Sequence, residues 1–364
     1  MNSYNHFITG NFYQRLKQFI LFILLLLFGC NQSNVLNRNI VSFSKFSVED
    51  TLSFRNIYEY TGGEAGILEL VDSVLILFNV NEGTDYFINN YSIKTGRVYK
   101  EYFKSGKGPG EVIGAFIIGI NRNSLWLYDV TSRKIITTDL RKAIANNTTV
   151  SYNEYAVKDD YLRIGFKDSL RFFAAGFDSS IYKIQEVDLI SGNKVNEFGK
   201  IESIPDDMTL NAYKAAHECF IHVKPACDKI VLSYRFTDAI EIYDIKTQKS
   251  IMVHGPDGFN AEGKPNGSSW YRTDKTRFAF VSGGGTVTNQ YIYMLYSGDL
   301  WKDRNSRYAK CIFVYDWDGN PIRKLVLNRQ IQGIAVSEDD ITMYAFDVNT
   351  GYLIQSKSLS EFTK

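Results

Sequence analysis

The sequence predicts an all-β fold, a six-bladed β-propeller whose ring is closed by an N-terminal strand. Three observations carry that expectation. A strand–turn–strand phrase returns about every 50 residues, aromatic residues make up 15% of the chain, and the last unit is one strand short while a strand-like segment stands unused upstream. Tyr, Phe, Val and Ile suit a pleated, half-buried surface, and 24 Tyr and 25 Phe supply ample apolar material.

The repeats are read in chain order. YFINNYSIKTGRVYKEYF (86–103), IYKIQEVDLISGNKVNEFG (181–199), AIEIYDIKTQKSIMVHG (239–255) and CIFVYDWDGNPIRKLVL (311–327) are hairpins, with Thr-Gly, Ser-Gly, Thr-Gln or Asp-Gly at the turn. Upstream of three of them lies a further apolar strand: LVDSVLILF (70–78), DKIVLSYRF (228–236) and NQYIYMLYS (289–297). Two shorter copies, 124–140 and 340–358, complete six units over residues 60–358. The segment 39–60 supplies the missing outer strand, and a closed ring leaves no open sheet edge at the seam. Residues 139–147 and 206–216 have helical composition, 255–270 is a Gly-, Asn- and Pro-rich loop, and 298–310 is a long hairpin loop. A single β-sandwich is the rival architecture, and six regular units fit it less well.

Residues 1–29 read as a signal peptide. Arg15 and Lys17 precede the apolar run FILFILLLLF (19–28), too short to span a hydrocarbon core that takes about 20 helical residues. Leu27-Phe28-Gly29-Cys30 resembles a bacterial lipobox, which makes Cys30 the lipid attachment residue and the membrane a partner through that lipid. An ordinary signal peptide or an uncleaved anchor is the plainer alternative. Cleavage there takes the formal charge from +1 to −1 and leaves 335 residues. Residues 30–50 are expected to tether a propeller spanning 51–364. The expected location is the cell envelope at the outer membrane, and Asn31-Gln32-Ser33-Asn34, lacking an acidic cluster, favours its periplasmic side.

SGKGPGEV (105–112) invites a phosphate-loop reading, which fails on chemistry. Gly108 follows Lys107 where Mg²⁺ binding needs Ser or Thr, Pro109 removes a donor, and a strand rather than a helix follows. The stretch is a turn between units, and no nucleotide is expected. With no basic stripe, no nucleic acid is expected either. SGKGPGEV, YMLYSG (293–298) and VYDWDGNPIRKLVL (314–327), behind the lipobox, resemble a family of Bacteroidetes lipoproteins with a six-bladed, TolB-like propeller. The resemblance covers most of the mature chain and brings no catalytic set. Glu111 matches the family's turn motif, which leaves it either a structural carboxylate or a ligand contact.

Other constellations have plainer readings. His217, Cys219, His222 and Cys227 suggest zinc, but the spacing fits neither a helical pair nor one face of a strand, so no metal is expected. A Cys219–Cys227 disulfide stays open. Asp316, Asp318 and Asn320 imitate a calcium loop that Pro321 and the missing twelfth-position Glu interrupt. SSWYRTDKTR (268–277) places Trp270, Tyr271 and Arg272 in or beside one long loop, with Trp301 in the other long loop of the same unit. Loops at one propeller face bind ligands, and Trp, Tyr and Arg dominate binding hot spots. With Glu111 these are the candidate binding residues. The expected function is a binding or scaffolding module for an envelope protein or glycan, without cofactor or catalysis. The alternative is a metal-dependent propeller hydrolase or lyase of the lactonase kind, which would need carboxylates converging from the inner strands.

Overall fold

The computed structural model describes residues 39–80 and 85–359. Their strands form six antiparallel meanders of four, each running from an inner to an outer strand. Blade 1 holds Ala65–Val71, Val74–Asn79, Tyr86–Ser92 and Arg97–Lys104; blade 2 holds Ala115–Asn121, Ser124–Asp129, Lys134–Asp139 and Tyr152–Ala156. Blade 3 holds Tyr161–Phe166, Arg171–Gly176, Tyr182–Asp188 and Lys194–Lys200; blade 4 holds Cys219–Val223, Lys229–Tyr234, Ala239–Asp244 and Ser250–His254. Blade 5 holds Phe280–Val287, Tyr291–Tyr296, Ala309–Asp316 and the first part of Pro321–Val336, whose second part opens blade 6. Met343–Asp347 and Tyr352–Ser356 follow, and Phe54–Glu59 completes blade 6 as its outer strand.

The expected closure is therefore present: Ser356 pairs with Phe54 and Tyr352 with Glu59, antiparallel. One part of the reading is corrected. The segment taken as a tether, 30–50, contributes strands where it is described. Asn39–Ser42 pairs parallel with Ser250–His254, and Glu49–Leu52 pairs parallel with Lys324–Leu327. The segment carries its own buried apolar anchor, Phe46, which a solvated tether would not, and Leu52 just beyond it is buried as well.

The core confirms the ring. Each of six apolar clusters lies between neighbouring blades, from Phe78 and Ile118 between blades 1 and 2 to Leu75 and Phe346 between blades 6 and 1. Sheets stacked this way bury both faces of each strand, which explains the near-continuous apolar runs such as Leu75–Phe78. The recurring Asp at the ends of strands has a local cause. Asp129, Asp188 and Asp244 each accept hydrogen bonds from the backbone N–H and hydroxyl of Ser132, Ser191 and Thr247, three residues on, and so close the next turn.

The meander fixes two faces. Turns between second and third strands and the connections between blades lie on one, here called the upper face. Turns between first and second and between third and fourth strands lie on the lower. Leu140–Ile144, the short helix expected near 139–147, belongs to the lower face, and the second expected helix, Leu210–Ala216, to the upper.

Candidate functional site

Three additions converge on the upper face. The segment expected as a loop at 255–270 contains a hairpin, Gly263–Asn266 with Ser269–Arg272, turned at Gly267 with φ +59°. Pro265 sits inside one of its strands, a residue that argues against strand structure unless the strand is an edge, as it is here. The hairpin rests on the helix Leu210–Ala216, whose N-cap Thr209 accepts from the Ala212 N–H and donates its hydroxyl to the Gly267 carbonyl at 2.9 Å. The long loop of blade 5 joins them. Trp301 Nε1 donates to the Thr273 carbonyl at 2.5 Å, and Arg277 and Leu300 form an isolated bridge.

This arrangement sorts the residues singled out in the sequence. The Arg272 guanidinium lies 4.8 Å from the Trp301 ring centroid, and Tyr271 next to it is 56% exposed. Those three share one surface. Trp270 turns inward, its ring 4.9 Å from that of buried Phe236, and so holds the hairpin down rather than presenting itself to a ligand. Glu111 stands apart, between blades 1 and 2, and its carboxylate accepts the Gly108 N–H of its own turn at 2.7 Å. Cys30 lies outside the described residues.

A charged network that the sequence reading missed occupies the same face. Glu218 accepts from Arg163 at 3.1 Å and from Arg235 at 3.0 and 3.2 Å, so one carboxylate serves two guanidinium groups. Arg163 is buried between the Phe116 and Phe220 rings, at 5.5 and 5.0 Å. Arg235 lies 4.9 Å from the Phe278 ring. Burial pushes the Arg163 guanidinium down from its ordinary range, Glu218 opposes that shift, and neighbouring Arg235 adds to it. For Arg272 the dehydration of its site comes first, with the charges of Arg235 and Arg307 acting in the same direction. An arginine inside the inner strand YLRIGF was the available signal, because a charge there needs a buried partner.

Beneath this network the inner strand of blade 5 leaves the regular ladder. Phe280 pairs with Tyr296 and Gly285 with Met294, so residues 281–284 stand opposite Leu295 alone. Ser282, Gly283, Gly284 and Gly285 all have positive φ. Glycine is required: a Cβ on Gly285 would lie 1.9 Å from the Tyr293 carbonyl oxygen, and one on Gly284 2.7 Å from Phe220 of blade 4. The bulge reaches inward as far as Ile67 of blade 1, and Ser282 donates to the Arg307 carbonyl on the upper side.

Below the bulge, a cavity of about 520 Å³ follows the axis toward the lower face, lined from all six blades by Ile67, Ile118, Ile164, Ile221, Gly283 and Ile334. Polar groups line it too, among them Glu69 from blade 1 and His222 from blade 4. Dehydration pushes the Glu69 carboxyl up to about 8, and pushes His222 down to about 4 against a hydrogen bond to the Gly283 backbone. The Nε2 of His222 is buried without a hydrogen-bond partner among the described residues. Cys219 faces the opposite way, into a small pocket between blades 3 and 4, as strand alternation requires. Among the described residues no three His, Cys, Asp or Glu side chains come together as a metal-binding group. Cys219 and Cys227 are free thiols, Cys219 opening the strand Cys219–Val223 and Cys227 in the turn beyond its far end, roughly 13 Å of strand away and beyond disulfide reach. Asp316 accepts from the backbone of Asp318 and Asn320, closing the hairpin turn expected there.

Six four-stranded blades around an axial cavity make this a β-propeller. Residues 43–339 match the model of the TolB-like 6-blade propeller-like family, and the chain belongs to that family. Among solved structures, a candidate exported protein of Bacteroides fragilis is similar over 87% of this chain and 99% of its own, with 11% identity and a TM-score of 0.52. U3-55K is similar over 84% and 98%, with 9% identity and a TM-score of 0.50. Identities this low speak to the fold alone. No curated protein matches the sequence. Among the described residues no helix is long and apolar enough to cross a membrane.

Proposed function

We propose that the protein is a lipid-anchored propeller of the cell envelope that binds or scaffolds an envelope protein or glycan through its upper face. The observation that carries this reading is the convergence of the hairpin, the helix Leu210–Ala216 and the loop around Trp301, which together present Tyr271 and Arg272 on a rigid base. Loops held by a stable scaffold are where propellers place recognition, and an exposed Tyr beside an Arg is typical of an interface centre. The anchor follows from the basic, apolar and Leu-Phe-Gly-Cys sequence of residues 15–30, with Cys30 as the acylated residue.

The test is a gentle-detergent pull-down of the tagged full-length protein from its own membranes, with Cys30→Ala as the anchoring control. A stoichiometric partner that disappears with Tyr271→Ala and Arg272→Ala supports the reading. Trp270 is left intact, since its loss would loosen the hairpin. Recovery of the protein alone, or of a partner indifferent to both substitutions, would reject the upper face as the binding surface.

A further inference from the structure

Four arginines act on one another at the upper face, Arg163, Arg235, Arg272 and Arg307, with Glu218 the carboxylate among them. Arg163 and Arg235 share Glu218, while Arg272 and Arg307, both exposed, have no carboxylate partner among the described residues. Several acids nearby are engaged: Asp299 pairs with Lys310, Asp274 with Lys302, and Asp257 accepts from the Tyr296 hydroxyl. Glu64 lies beside Tyr308, and Glu262 and Asp303 belong to the same upper connections. The excess is local to the arginine cluster, since the formal charge of the whole chain is only +1.

An apolar half adjoins the basic one. Ile113 and Phe116, at the entry to blade 2, are 42% and 48% exposed, and Phe177 and Ile181, on the upper turn of blade 3, are 37% and 44% exposed. Arg163 joins the halves, because its guanidinium packs on Phe116 while it holds Glu218. Arginine and aromatic side chains next to exposed aliphatics match the centre of a protein–protein contact.

We infer that the upper face takes an acidic segment of a protein partner flanked by apolar residues, its carboxylates on Arg235, Arg272 and Arg307 and its apolar side chains on Ile113, Phe116, Phe177 and Ile181. This rests on the upper face being the binding surface and adds the chemistry of what it binds. Carboxylates take guanidinium groups in paired hydrogen bonds, and one carboxylate of the protein's own, Glu218, already holds two guanidinium groups on this face, Arg163 and Arg235.

The experiment is fluorescence anisotropy with the full-length protein in detergent and two dye-labelled peptides, Glu-Glu-Glu-Phe-Ile-Phe and hexaglutamate. Arg272→Glu with Arg307→Glu is expected to weaken the mixed peptide about tenfold or more, since charge-assisted bonds are lost and repulsion gained. Arg141→Glu, on the lower face, serves as the control and leaves binding unchanged. Phe116→Ala is expected to weaken the mixed peptide about threefold or more and hexaglutamate hardly at all. Indifference to the double reversal overturns the inference. So does equal binding of hexaglutamate, the mixed peptide and a sulfated polysaccharide, which would mark the face as a general polyanion surface. A membrane partner released by Tyr271→Ala, with neither peptide bound, would leave the binding face standing and remove the acidic segment.

Discussion

Blades 4 and 5 share the four-stranded plan of the other blades but treat their outer edges differently. Among the described residues no strand covers the outer strands of blades 1, 2 and 3, and each carries charge: Lys100 and Glu101, Glu154, and Lys194 and Glu197. Blade 6 is uncovered too and shows Arg55 and Glu59. The outer strand of blade 4, SIMVH, has no Lys, Arg, Asp or Glu, and that of blade 5 contains Leu325-Val326-Leu327. Those are the two edges that the N-terminal segment covers with parallel strands. Exposed apolar edges template aggregation, and a protein either charges them or covers them. This chain does the first in blades 1, 2, 3 and 6 and the second in blades 4 and 5, where it also builds its hairpin, long loop and glycine bulge. The N-terminal segment therefore acts as more than a lead-in to the fold.

The sharpest way to break that contrast is truncation. A chain beginning at residue 60 loses the outer strand of blade 6 and is expected to lose cooperative unfolding, read by far-UV circular dichroism on heating. One beginning at residue 53 keeps the ring closed but loses Phe46 and Leu52, each worth about 2 kcal/mol of burial. That longer chain is expected to fold and then self-associate through the bared edges of blades 4 and 5, seen as earlier elution on size exclusion. A monomer at residue 53 would show that covering those edges is incidental.

A second contrast sets a glycine of blade 1 against one of blade 5. Gly96 in blade 1 has φ +67° with nothing within 4 Å of a Cβ, so Gly96→Ala meets only the backbone penalty of about 1 kcal/mol. Gly285→Ala forces a Cβ against the Tyr293 carbonyl at φ +132° and is expected to lower stability by about 3 kcal/mol or more, measured by urea unfolding. Equal penalties would mean that the bulge yields easily.

The repeats and the ring closure could be read from the sequence, and the reason is range. Turn chemistry is local, so Thr-Gly, Ser-Gly and Asp-Gly hairpins declared themselves, and counting strands exposed the missing one that Phe54–Glu59 supplies. The site needed contacts that no local pattern holds. Glu218 meets Arg163 and Arg235 across 55 and 17 residues, on different blades or elements. Trp270, Tyr271 and Arg272 looked like one cluster until the hairpin's alternation turned Trp270 onto Phe236. The bulge at Gly283–Gly285 has no local signature, because three flexible residues do not specify where they bend.

The cavity below the bulge supplies a pH test of intermediate size. Glu69 has a folded value near 8, raised from an ordinary 4.5 by dehydration, so the native state holds a proton that the unfolded chain releases. The sign follows: its favourable contribution is complete below about 4.5 and is lost as pH rises through about 8. Relative to Glu69→Gln, the wild type is expected to lose about 2 kcal/mol across that window, less than full linkage because Glu69 is only half-buried and the cavity opens to solvent. Parallel stability profiles for the two proteins would show that water reaches the carboxylate freely.

The smallest effect concerns the turn between blades 1 and 2, and it separates structure from recognition most cleanly. The Glu111 carboxylate lies where side chains on Gly106 and Gly108 would stand, with 2.1 and 3.0 Å from a Cβ at those positions to Oε2, and it accepts the Gly108 N–H. Ser-Gly-Lys-Gly-Pro-Gly-Glu is thus one unit in which the glycines clear room for the acid that fastens them. Removing that bond with Glu111→Ala is expected to lower stability by about 1–2 kcal/mol, and Glu111→Gln, which can still accept, by less than about 1 kcal/mol. Neither should change capture of a membrane partner, because the carboxylate already faces its own backbone. If Glu111→Gln instead left the unfolding midpoint unmoved and released the partner, the turn would belong to the binding surface, and blades 1 and 2 would share a role that the insertions of blades 4 and 5 otherwise hold.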